Sequence, residues 1–156
     1  MNPSNTPKSL KLFYFLFLLL FGCNFNATYN NRVEDKNEAE KVADKFYSLI
    51  RKTKYQDTYK LFGKKFFQVT DTSKLDDIFQ FTYTKLGAID NMNLDHWQTQ
   101  IIKGTNPSSN YALYFLVQRE KYLSKETITL DKENDSIKII GYYVNSDGLF
   151  ARDSTK

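Results

Sequence analysis

Apolar residues follow three rhythms along this chain, and each predicts a different kind of segment. From Leu12 to Phe21 every position is apolar. From Ala39 onward they recur at Val42, Ala43, Phe46, Leu49 and Ile50, the i, i+3, i+4, i+7 spacing of one helix face. Asn37 is placed to cap that helix, with Glu40 three residues on as its reciprocal partner. A shorter helix is expected over residues 56–62, ending at Gly63. A third is expected from Thr72 or Ser73, with Leu75, Ile78, Phe79, Thr82 and Leu86 as its buried stripe and Gly87 as its C-terminal cap. After Gly87 the period drops to two. Residues 93–102, 110–122, 125–130 and 136–144 read as strands, parted by the turn-forming stretches "KGTNPSS" and "DKEND".

Helices followed by consecutive strands are the α+β pattern, with the helices packed on one face of an antiparallel sheet. The pattern fills one domain, residues 37–146, followed by a short tail, 147–156. Tyr111, Leu113, Phe115 and Val117 form an unbroken apolar set, so they are expected to face the helices. In the last strand Ile137, Ile139 and Tyr143 are the expected inner set. That leaves Tyr114, Leu116, Tyr122, Ile140, Tyr142 and Val144 on the outer face. One face of such a sheet is ordinarily wet, and this one is largely apolar. It is therefore the candidate docking face for a second copy of the chain or for a partner protein.

The unbroken run needs its own explanation. A spanning helix takes about 20 apolar residues, and Leu12 to Phe21 covers only half of that. Lys8 and Lys11 precede it and no acid occurs before Glu34, the layout of a secretory signal. Leu20-Phe21-Gly22-Cys23 resembles the lipobox of bacterial lipoprotein signal peptides. The resemblance implies that residues 1–22 are removed and that the sulfur of Cys23 is acylated. Cys23 is the only cysteine, so it has no disulfide partner within the chain. Two acyl chains would anchor the protein stably to a bilayer, where one would not. Residues 23–36 are polar and Asn-rich and read as a flexible tether. Asn24 resembles a sorting preference of outer-membrane lipoproteins, which implies a place in the bacterial cell envelope, facing the periplasm. Formal net charge is +4, and losing Lys8 and Lys11 brings it to about +2. That near-neutral balance offers no basic face for nucleic acid.

Little in the chain points to chemistry. His96 is the only histidine. Strand alternation sends it and Asp95 to opposite faces, so Asp95 is not expected to orient its ring. His96 shares its face with Gln98 and Gln100, a solvated setting. There is no Gly-x-Ser-x-Gly, no phosphate loop and no catalytic-cysteine arrangement. One His and one Cys do not make a common zinc site. The reading is therefore of no catalytic residue, no metal and no cofactor. The chain does hold 11 Tyr, 13 Phe and one Trp. Tyr47, Trp97, Phe115 and Tyr143 are the candidate lining of a ligand pocket, with hydroxyls as polar handles.

"DTYKLFGKKF" (57–66), "KLG" (85–87), Glu126 opening a strand and "GYYV" (141–144) carry a further likeness. With them the chain resembles small bacterial lipoproteins of the nuclear-transport-factor-2-like (cystatin-like) superfamily. The resemblance implies a cone-shaped fold in which helices cap a curved sheet, in some members around a pocket. It also implies dimerisation through the sheet face in many members. The superfamily holds isomerases, dehydratases and proteins that only bind. Its ketosteroid-isomerase-like members use a pocket carboxylate as base, and Asp95, on the face of Trp97, is the candidate for that role. The favoured expectation is a lipid-anchored, non-enzymatic binding or interaction domain. The alternative is a small lyase or isomerase using a pocket carboxylate.

Overall fold

The structure, a computed structural model, describes residues 26–152. The apolar run, Cys23 and the last four residues lie outside the described residues. The fold is α+β, with helices packed on a curved, open, five-stranded antiparallel sheet, the architecture implied by the superfamily resemblance. Strand β1 (Ala27–Asn30) leads into helix α1 (Val33–Arg51). Two single turns follow, α2 (Tyr55–Thr58) and α3 (Lys64–Phe67), and then helix α4 (Thr72–Leu86). Strands β2 (Ile89–Lys103), β3 (Ser108–Arg119), β4 (Leu123–Glu133) and β5 (Ser136–Asn145) complete the sheet in the order β1-β2-β3-β4-β5.

Strand β1 was not expected. Residues 27–36 are not tether: they form β1 and the first turn of α1. Tyr29 packs against the core and pairs in register with Ile101, and this burial orders a stretch whose asparagines suggest a loop. The turn at Asn31 (φ 51°) is stitched to β2 from both sides. Asn31 N donates to Thr99 O at 2.9 Å, and Thr99 N donates to Asn31 Oδ1 at 2.9 Å. Helix α1 then begins four residues before Asn37. Glu34 and Asp35 sit in its first turn, where the helix dipole favours acids, and Arg32 clamps Asp35 with two 2.7 Å bonds.

Helix α4 follows the sequence pattern closely. Asp71 caps it by accepting from Lys74 N at 2.8 Å, and Gly87 ends it at φ 83°. Leu75, Phe79, Thr82 and Leu86 are buried, whereas Ile78 is exposed, one position off the stripe. On β3, Tyr111, Leu113, Phe115 and Val117 are buried against the helices as expected.

Register shifts break the simple alternation, two of them next to candidate residues. Thr129 pairs with Gly141 but Leu130 pairs with Ile139, so Ile140 is an extra residue on β5. Ile139 is fully buried on one side of this bulge, and on the other the inward position passes to Tyr142. Tyr143, expected inside, is 65% exposed. Val144 stands opposite the buried Glu126 and so leaves the outer face as well. The second bulge lies on β2 between Leu94 and His96. The outer face therefore keeps Tyr114, Leu116 and Ile140, loses Tyr142 and Val144, and gains Tyr143. Tyr122 sits in the β3–β4 turn with its ring over Gly148 and is not part of that face.

Candidate functional site

The four residues expected to line a pocket are only partly assembled. Tyr47 on α1 and Phe115 on β3 meet edge to face, with ring centroids 5.1 Å apart. Trp97 is half-buried on the inner face, opposite Leu113. Tyr143 points away from them all. The space they were expected to surround is filled by a group that the sequence reading passed over.

That group is the carboxylate of Glu126, which is 1% exposed. On β4, Glu126, Ile128 and Leu130 alternate inward, so the strand carries the acid into the core with its apolar neighbours. Arg119, on the same face of β3 as Val117, meets it. Nε lies 3.0 Å and Nη2 2.8 Å from Oε1. Ser124 Oγ is 2.8 Å from the same oxygen. Oε2 accepts from Tyr142 OH at 2.7 Å and from Tyr47 OH at 3.2 Å. The remaining side of Arg119 donates through Nη1 to Gly87 O at 3.3 Å, which ties the end of α4 to the pair. Five donors thus converge on one carboxylate. Beside Arg119 and Tyr142 lies a narrow, partly open cavity of about 20 Å³, room for about one water molecule.

The electrostatics follow from burial and from this pair. Burial works against the charge of Arg119, but Glu126 outweighs it and the guanidinium pKa is raised. Burial, reinforced by the negative Glu126, pushes the hydroxyls of Tyr47 and Tyr142 well above the ordinary tyrosine value. Tyr59, whose OH donates to Asp76 Oδ2 at 2.6 Å, is pushed up to about 12. A raised pKa means that the fold holds the proton more tightly than the unfolded chain does. Below pH 10 both states are protonated and the contribution is complete; above it the unfolded chain ionises first and stability falls. Denaturant titrations from about pH 9 to pH 11 are expected to show that decline. The variant Tyr47→Phe/Tyr142→Phe should have a shallower slope, and an unchanged slope would contradict buried hydroxyls.

Asp95 and His96 are placed otherwise than strand alternation implies. The β2 bulge lets both side chains turn the same way, and His96 Nδ1 lies 2.8 Å from Asp95 Oδ2. They form a pair, but an open one, with side chains 50% and 56% exposed. The His96 ring also stacks on Tyr114 at 4.0 Å. Asp95 thus stands half-exposed at the surface. Because the imidazole stands in solvent, His96→Ala is expected to change unfolding stability by about 0.5 kcal/mol or less. A loss of several kcal/mol in a urea titration would contradict that placement.

Outside the core, a solvent-open hollow of about 640 Å³ lies on the outer face of β1, β2, β3 and β4. Asn30, Gln98, Gln100 and Asn110 line it. Among the described residues no cluster of His, Cys, Asp and Glu is arranged to hold a metal ion. Nor, among them, is any helix long and apolar enough to cross a membrane.

No family model, curated protein or solved structure matches the chain.

Proposed function

We propose that this chain is a lipid-anchored, non-catalytic binding and protein-interaction module of the bacterial cell envelope. Acylated Cys23 holds it at the outer membrane, facing the periplasm, and the outer sheet face docks a second copy. The observation that carries the non-catalytic reading is the state of Glu126. A general base needs a free lone pair within reach of the substrate. Both oxygens of Glu126 are occupied, in a core whose adjoining cavity holds about one water. A lyase or isomerase would need that carboxylate, or Asp95, facing an open pocket. Neither does.

The docking face rests on the row His96, Tyr114, Thr127 and Tyr143, which runs across β2 to β5 in register, with Leu116 in the next row. Light scattering on the full chain in detergent is expected to give a dimer. Leu116→Lys/Tyr143→Lys should give a monomer, and a monomeric wild type at high micromolar concentration would overturn the docking face. Intact mass of protein extracted from membranes tests the anchor. Loss of residues 1–22 with a gain of acyl mass is expected, and a free thiol at Cys23 would contradict it.

A further inference from the structure

We infer that the hollow at the β1 end of the outer face binds a neutral, polyhydroxylated ligand, a saccharide. This rests on the reading of the domain as a non-catalytic binding module and adds the class of ligand. The register builds the site. Asn30, Gln100 and Asn110 lie opposite one another on β1, β2 and β3, and Gln98, Ala112, Thr129 and Gly141 form the neighbouring row. Asn31 adds a fifth amide at the turn into α1. Three of the five are oriented by the protein: Asn31 Oδ1 accepts from Thr99 N, and Gln100 Nε2 donates to Asn30 Oδ1 at 3.4 Å. The amides of Gln98 and Asn110 have no hydrogen-bond partner among the described residues.

No charged residue lines the hollow. An ionic ligand would find no counter-charge there, and a wholly apolar one would strand the amides without partners. Side-chain amides both donate and accept, as hydroxyl groups do, so a sugar edge matches them group for group. The floor is built of small side chains: Ala112 stands beside Thr129, and Thr129 packs so closely on Gly141 that a Cβ there would come within 2.4 Å of Thr129 Oγ1. The volume of about 640 Å³ falls within the usual range for small-ligand sites.

The test is an amide NMR titration of the full ¹⁵N-labelled chain in a zwitterionic, sugar-free detergent, with maltotriose and with chitotriose as probes. At least one is expected to produce saturable shifts at Gln98, Asn110 and Ala112. Gln98→Ala/Asn110→Ala should weaken that response about tenfold, the loss of roughly two hydrogen bonds, with an unchanged melting temperature. Absence of saturable shifts at these amides with both sugars would overturn the inference, and so would unaltered binding by the double variant. Light scattering on the same samples keeps the two readings apart. A dimer without a sugar response overturns the saccharide inference alone, and a monomer that binds sugar at Gln98 and Asn110 supports it while removing the dimer.

Discussion

Replacing Glu126 by Leu is expected to destabilise the domain by about 3–5 kcal/mol, because it leaves the Arg119 charge buried without a partner. Arg119 is 2% exposed and cannot swing into solvent without opening the core. The same substitution removes the acceptor of Tyr47 and Tyr142, and each buried donor left unsatisfied costs about 1–3 kcal/mol. These costs overlap, since some side chains will relax toward the vacated space. Arg119→Met should cost a similar amount, by orphaning the carboxylate and Gly87 O. Combining the two changes is expected to recover most of the loss, because an apolar pair of similar volume often matches a buried ion pair. Urea unfolding of the wild type, both single variants and the double variant measures this directly. A single-variant loss under about 1 kcal/mol would mean that Glu126 is solvated.

Phe46→Ala is the second large expected effect, at about 3–5 kcal/mol. Phe46 on α1 is fully buried and touches four other rings: Tyr47, Phe62, Phe79 and Tyr142, at centroid distances of 5.3, 5.9, 5.9 and 5.0 Å. Those rings come from α1, the segment after α2, α4 and β5, so one side chain joins both helical layers to the edge of the sheet. Its removal leaves a cavity that rings fixed on separate elements can close only in part. Native domains hold about 5–15 kcal/mol in all, so the variant should lie near its unfolding midpoint in low denaturant. Val69→Ala, at a site 79% exposed, is the control and should stay within about 0.5 kcal/mol. Equal effects at the two sites would contradict the core described here.

The local parts of this fold were legible in the sequence, and the parts set by pairing were not. Helix α4 and the inner set of β3 follow from periods of 3.6 and 2 that lie within one element. Strand β1 escaped because its only core-facing aromatic, Tyr29, stands in four residues whose order comes from pairing with Ile101 and Gln100 on β2. The inward assignment of Tyr143 and the outward one of Tyr142 both failed at a single extra residue, Ile140, because a bulge is fixed by the partner strand. The same reason brought Asp95 and His96 together. The spacing of Glu126 from Ile128 and Leu130 places it on their buried face. What hides it is its partner: Arg119 lies seven residues away across the β3–β4 turn, and Tyr47 lies 79 residues away on α1. Tyr47 and Phe115 meet edge to face, and the Glu126 carboxylate stands within hydrogen-bond reach of Tyr47.

If Glu126 is locked in the core, the outer sheet face is where the domain makes its contacts. A photo-crosslinking residue at position 114, on the outer face, compared with one at position 81, on the exposed side of α4, tests this in the native membrane. Crosslinking is expected to give an adduct of twice the chain mass from Tyr114→benzoylphenylalanine and none from Phe81→benzoylphenylalanine. Adducts from position 81 alone would contradict the account.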